Sequence, residues 1–130
     1  MSEPRRTPID APGAPDAVGP YSHAVSASGL LFCSGQIPLD PDSGDLVLGS
    51  PGVQARRCLE NLEAVCAAAG ARLADAVKLT VYLTDIASFA EVNDVYAEFF
   101  TGSYPARVAV EVSALPKGAD VEIDAIVALG

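Results

Sequence analysis

Hydrophobic and polar positions alternate over Arg107-Val108-Ala109-Val110-Glu111-Val112 and again over Val121-Glu122-Ile123-Asp124-Ala125-Ile126-Val127, and a period of two predicts strands. In the first run Arg107, Ala109 and Glu111 share one side, opposite Val108, Val110 and Val112. In the second, Glu122, Asp124 and Ile126 lie opposite Val121, Ile123, Ala125 and Val127. Matching the valine-rich sides gives a sheet with one hydrocarbon face. The other face then holds a guanidinium beside carboxylates on neighbouring strands, which suits either a structural ion pair or a site for a small anion.

The same reading applied upstream fills in the other elements. Gly19 to Val25 and Leu30 to Gly35 form a hairpin candidate around Gly29. Val53, Leu59, Leu62, Val65, Cys66 and Ala69 recur at three and four residues, predicting a helix over 53–69 that stops at Gly70. Val77, Leu79, Val81 and Leu83 alternate with Lys78, Thr80 and Tyr82 as a half-buried strand. Asp85 can cap a second helix whose inward stripe is Phe89, Val92, Val95, Tyr96, Phe99 and Phe100. Residues 1–17 contain four prolines and no sustained period, so they read as an irregular arm before a single domain at 18–130.

The order strand, strand, helix, strand, helix, strand, strand suits an α+β fold with two helices on one face of a mixed sheet. On this reading the helices cover the Val108/Val110/Val112 face. The Arg107/Ala109/Glu111 and Lys78/Thr80/Tyr82 face is left without an intramolecular partner, to be hydrated or sealed in a cyclic oligomer.

Composition narrows the chemistry. In 130 residues, 17 acidic against 8 basic side chains give a formal charge of −9, a surface that repels phosphate backbones and anionic membranes. Nucleic acid is therefore a poor partner, and no run approaches the roughly 18 apolar residues of a membrane-spanning helix. Cys33, Cys58 and Cys66 are odd in number, form no CxxC and follow no secretory signal, so they read as reduced packing thiols of a cytoplasmic protein. His23 is the single histidine and supports neither a triad nor a zinc set; it reads as solvated or locally bonded. The Asp40-Pro41-Asp42-Ser43-Gly44-Asp45 turn lacks the spacing and terminal glutamate of a calcium loop, so no metal is expected.

Several segments, in order and spacing, resemble the RidA family, also called the YjgF/YER057c/UK114 family. They are Gly19-Pro20-Tyr21-Ser22, Ser34-Gly35-Gln36-Ile37-Pro38, the Gln54 to Gly70 and Phe89 to Phe100 helices, Pro105-Ala106-Arg107, and Leu115-Pro116-Lys117-Gly118 before Val121-Glu122-Ile123. The resemblance implies a chorismate-mutase-like fold, a homotrimer with clefts between subunits, and cofactor-independent hydrolysis of reactive 2-imino or enamine acids to 2-oxo acids and ammonia. It gives Arg107 the substrate carboxylate, Glu122 the hydrolytic water, and Tyr21 the cleft wall. Ser34 and Gly35 would close the pocket, and Phe89 and Asn93 would tune its size. The chain departs from many deaminase-type members in having Ala109, not cysteine, two positions after the arginine; alanine keeps the backbone N–H donor and loses the thiol.

The chemistry agrees with those roles. A protonated imine is already electrophilic, so an enzyme needs to hold the acid, place water and return a proton to nitrogen. A guanidinium matches a carboxylate with paired donors, and a carboxylate can orient and deprotonate water. A non-catalytic binder of 2-oxo acids is the alternative that Ala109 keeps open. A ribonuclease, ascribed to some relatives, is opposed by the acidic charge.

Overall fold

A computed structural model describes residues 5–130. The chain forms β1 Thr7–Ile9, β2 Ala24–Ala27, β3 Leu30–Gln36, α1 Pro51–Ala68, β4 Ala76–Leu83, α2 Phe89–Glu98, β5 Ala106–Glu111 and β6 Val121–Ala128. One sheet runs in the order β1-β2-β3-β6-β4-β5. Only β4 and β5 pair in parallel, with α2 as the crossover that a parallel pair requires. Both helices cover one face, burying Leu59, Leu62, Val65 and Val92 against Leu31, Leu79, Val81, Ile123 and Val127.

The helix ends follow from local chemistry. Ser50 Oγ accepts the Val53 N–H at 3.4 Å, and Pro51 occupies the first turn, where its missing N–H costs nothing. At the other end Gly70 takes φ 71°, while Gly70 N bonds Ala67 O and Ala71 N bonds Cys66 O, the paired bonds of a Schellman cap. Leu59, Leu62, Val65 and Cys66 face inward as expected, but Val53 is 47% exposed. Buried Gln54 and Asn61 share the inward face with them, because their amides hold loops: Gln54 Oε1 accepts Asp120 N–H at 2.8 Å, and Asn61 Nδ2 donates to Leu39 O at 3.0 Å. Asp85 caps a single short turn, Ile86–Ser88, through the Ala87 N–H, and that turn leads into α2.

Three expectations are corrected at the edges of the sheet. The arm is not wholly irregular: Thr7–Ile9 pair with β2, and Ala11 and Ala14 enter the core. The remainder of the arm prediction, Met1–Pro4, lies outside the described residues. The hairpin is present, with Ser28 and Gly29 both at positive φ as a two-residue primed turn demands, but its first strand begins only at Ala24. Gly19 to His23 form a loop instead, where Pro20 has no N–H for a ladder.

The third correction decides the chemistry. Parallel register sets Arg107 beside Leu79, Val108 beside Thr80 and Ala109 beside Val81. Leu79 and Val81 lie under the helices, so Arg107 and Ala109 do too, and it is Val108 and Val110, 41% and 37% exposed, that share the open face with Thr80 and Tyr82. Glu122 pairs with Tyr82, and Asp124 with Thr80, on that open face. Within one chain, then, Arg107 and Glu122 stand on opposite faces of the sheet. Being an edge strand, β5 can turn its arginine inward because the aromatic rings of α2 receive the guanidinium.

Candidate active site

Arg107 reaches from β5 to α2. Its Nη1 donates to Asn93 Oδ1 at 2.6 Å, and its guanidinium carbon lies 5.0 Å from the Phe89 ring centroid and 4.8 Å from that of Tyr96. One bond and two ring faces restrain the guanidinium and leave it donors not used on Asn93. A cleft of about 420 Å³ opens there, lined by Asn93, Tyr96, Ala97, Tyr104, Pro105 and Arg107. Its walls are largely aromatic and aliphatic, with a single cationic group among them. Tyr96 is 5% exposed and its hydroxyl has no partner among the described residues; burial raises its phenol pKa, against a lowering by Arg107.

The second cleft, about 310 Å³, is lined by Val18, Tyr21, Ser34, Gly35, Ile37, Pro116 and Glu122. Its geometry comes from a β-bulge. Between Cys33 and Gln36 the chain takes three steps along β3 against two along β6, so Ser34 and Gly35 leave the ladder. Ser34 Oγ then donates to Ser22 O at 2.6 Å, drawing in the loop that carries Tyr21, whose hydroxyl accepts the Val18 N–H at 3.2 Å. Gly35 passes close against the acid: a Cβ there would overlap Glu122 Oε2 and lie 3.0 Å from its Cδ.

The half-buried Glu122 carboxyl is held above the usual glutamate range, first by burial and then by the neighbouring Asp124 charge. Asp124 itself accepts a hydrogen bond from the Tyr82 hydroxyl at 3.0 Å. A half-buried carboxylate beside an exposed tyrosine and an open volume can orient and deprotonate a water. Gly35→Ala tests how that carboxylate is placed. The overlapping atoms are the end of a flexible side chain, so the variant is expected to fold with nearly unchanged Tm. The carboxylate must move, and any turnover that depends on it should fall at least tenfold. A variant with native turnover would show that the position of the Glu122 oxygens is unimportant.

The predicted site residues therefore divide into two groups. Arg107 and Asn93 line one cleft, with Phe89 behind the guanidinium; Tyr21, Ser34, Gly35 and Glu122 line the other. Ala109 lines neither, being packed against the core. Tyr96 was expected only as core, and Tyr104, next to Pro105 at the start of β5, was not singled out; both wall the Arg107 cleft. All three cysteines are buried free thiols: the hydrogen bond with Cys66, and then burial, raise the Cys33 thiol, and burial raises that of Cys58. Among the described residues no cluster of three or more His, Cys, Asp or Glu could hold a metal ion, and no helix is long and apolar enough to cross a membrane.

Comparison with known proteins gives the family. The family model described as Endoribonuclease L-PSP matches residues 11–129. A RutC family protein of Sinorhizobium fredii is 52% identical over 122 residues, covering 94% of this chain and 97% of that one. A 2-iminobutanoate/2-iminopropanoate deaminase of Bos taurus is 46% identical over 130 residues, covering 100% of this chain and 95% of that one. The crystal structure of RidA from an Antarctic Psychrobacter superposes with a TM-score of 0.91 at 44% identity, covering 95% of this chain and 99% of that one. The chain belongs to the RidA family.

Proposed function

We propose that this chain hydrolyses small reactive 2-imino acids and their enamine tautomers to 2-oxo acids and ammonia, in clefts completed between copies of itself. The observation that carries the reading is the division of labour between the two clefts. One holds a fixed guanidinium without a carboxylate; the other holds a half-buried carboxylate without a cation. Each is half of a site for an anionic substrate that must meet water. The name of the bovine relative supports the same reaction, with 2-iminobutanoate and 2-iminopropanoate as the substrate type.

In this reading the substrate carboxylate binds the Arg107 fork, and the rest of a small side chain lies against Tyr96, Tyr104 and Pro105. Glu122 of an adjoining copy takes a proton from water as the oxygen attacks C2, and the imine nitrogen becomes an amine. The carbinolamine then collapses: the C–N bond breaks, nitrogen leaves as ammonia with a returned proton, and the oxygen becomes the 2-oxo carbonyl. Imine plus water gives 2-oxo acid plus ammonia, with no redox change. The raised pKa of Glu122 makes it a stronger base than an exposed glutamate would be. Tyr21, at the rim, exchanges a hydrogen bond with water or nitrogen.

The open face supports association. Phe32, Val108 and Val110 are 44%, 41% and 37% exposed on it, apolar side chains on either side of Lys78, Thr80, Tyr82 and Asp124 that a cyclic assembly would bury. A homotrimer near three times 13.3 kDa is expected by light scattering, and a stable monomer with full activity would reject shared clefts. Activity is tested by generating 2-aminoacrylate or a longer 2-imino acid in situ and following 2-oxo acid and ammonia; no acceleration over spontaneous hydrolysis across small, branched and aromatic substrates would sink the reading. Sharing is tested by unfolding and reassembling inactive Arg107→Ala and Glu122→Gln chains together. If each cleft takes Arg107 from one chain and Glu122 from the next, random assembly leaves about a quarter of clefts intact. Recovery to about a quarter of wild-type rate is expected, and a mixture as inactive as its components would place both residues in one chain's site.

A further inference from the structure

We propose that His23 is a positioning residue: its imidazole closes the loop that carries Tyr21 and Val18 and so holds one wall of the Glu122 cleft. The proposal rests on the assignment of that cleft to water activation. His23 is 5% exposed and both of its ring nitrogens are bonded. Nδ1 accepts the Ala11 N–H at 2.9 Å, and Nε2 lies 2.7 Å from Pro15 O. A carbonyl only accepts, so Nε2 carries the proton; an amide N–H only donates, so Nδ1 does not. The two bonds together fix one neutral tautomer. Asp10 Oδ1, 3.3 Å from Nδ1 and 95% exposed, adds no second bond to a nitrogen already used as an acceptor.

These bonds join parts that sequence keeps separate. Ala11 and Ala14 are buried in the core, and Ala14 N bonds Ala11 O, so the stretch that His23 grips is itself anchored. Nε2–H to Pro15 O ties the ends of a nine-residue loop, 15–23, in the manner of an Ω-loop. On the far side the His23 carbonyl accepts Ser34 N–H at 3.0 Å, and the neighbouring Ser22 carbonyl accepts Ser34 Oγ–H. The loop is thus held at its base to the β3 bulge that also carries Gly35. Its tip, Val18 to Tyr21, is bonded within itself, Val18 N–H to the Tyr21 hydroxyl at 3.2 Å and Tyr21 N–H to Gly19 O at 2.9 Å, and Val18 and Tyr21 are both more than 40% exposed. Without the imidazole the Ser34 bonds to the Ser22 and His23 carbonyls would still hold the 22–23 end of the loop, but nothing seen would tie its other end, at Pro15, across to them. A cavity of about 320 Å³ shared by His23, Tyr21, Asp16 and Pro8 gives the freed loop room to sink.

The test uses the full-length assembly. In wild type, nitrogen-15 spectra of the histidine ring should show the proton on Nε2 and Nδ1 as an acceptor; a ring protonated at Nδ1 overturns the geometry without any variant. His23→Ala should exchange the Ala11 amide at least tenfold faster and shift the Tyr21 ring resonances, while the core amide of Leu62 keeps its protection. Its kcat/KM for imine hydrolysis should fall about tenfold. In a Tyr21→Ala background the same substitution should cost almost nothing more, whereas with Asn93→Ala, on the other cleft, the two losses should multiply. Losses that multiply in both backgrounds would mean that His23 acts only through general stability, and would overturn the proposal. If wild type hydrolyses no imine, the functional reading fails by itself, and Ala11 exchange with the Tyr21 ring shift still decides whether the loop is held by His23.

Discussion

Arg107→Lys is expected to lower kcat/KM nearly as far as Arg107→Ala, by about a hundredfold or more, although it keeps the charge. A charge-assisted hydrogen bond contributes roughly 1.5–3 kcal/mol, and a bidentate carboxylate loses at least one such bond when the fork is replaced by a point charge. The surroundings of Arg107 sharpen this. Its guanidinium lies over the Phe89 and Tyr96 rings and is bonded to Asn93 Oδ1. A lysine ammonium would be drawn to the same Asn93 oxygen and would have no second, coplanar donor to offer a ligand. Because Arg107 is half-buried at a sheet edge, both variants should fold, which circular dichroism and Tm check. A lysine variant within threefold of wild type would mean that charge alone holds the substrate.

The same arginine shows where sequence reading succeeds and where it stops. Alternation located β4, β5 and β6 and fixed which residues share a side of each strand. It does not say which side goes under the helices. For β4 and β6 the contrast settles the matter, Leu79, Val81 and Leu83 against Lys78, Thr80 and Tyr82, or Val121, Ile123 and Val127 against Glu122 and Asp124. For β5 it misleads, because the valines face outward and the inward positions are Arg107 and Ala109. The inversion is permitted by tertiary features with no local signature: a parallel edge register, and two rings of α2 that shelter a cation. The consequence was an expected meeting of Arg107 and Glu122 that one chain does not make.

Other parts were legible to different degrees for equally specific reasons. β1 is three residues long, too short to show a period among prolines. Arg107, Glu122 and Tyr21 drew attention by residue type and by resemblance. The overlap that makes Gly35 a spacer for the Glu122 carboxylate depends on a bulge of a single extra residue, which alternation cannot register. His23, read as solvated or locally bonded, is instead buried and bonded at both nitrogens to backbone 12 and 8 residues away, partners that a single histidine in a sequence does not announce.

Glu122→Gln should separate catalysis from stability. The amide matches the acid in shape, so it fits beside Gly35, but it cannot take a proton from water; turnover should fall about 10²- to 10⁴-fold, the usual contribution of a general base. Stability should move the other way. Burial and Asp124 raise the folded-state pKa of Glu122 above its ordinary 4.5, so the folded protein binds this proton more tightly than the unfolded chain. Stability linked to Glu122 is therefore fully present at pH below 4.5 and is lost as pH rises through the raised value, leaving the ionised side chain as a net cost near neutrality. Gln carries no such cost. The variant should have a Tm at pH 7 equal to or above that of wild type, an advantage that shrinks toward pH 4. Wild-type kcat/KM should fall as acid protonates Glu122, with a midpoint above 4.5, and this limb should be missing from the residual activity of the glutamine variant. Unchanged turnover where hydrolysis limits the rate would remove Glu122 as the base. A Tm clearly below wild type at neutral pH would instead mean that the carboxylate makes a stabilising contact, in the assembled protein, that one chain alone does not contain.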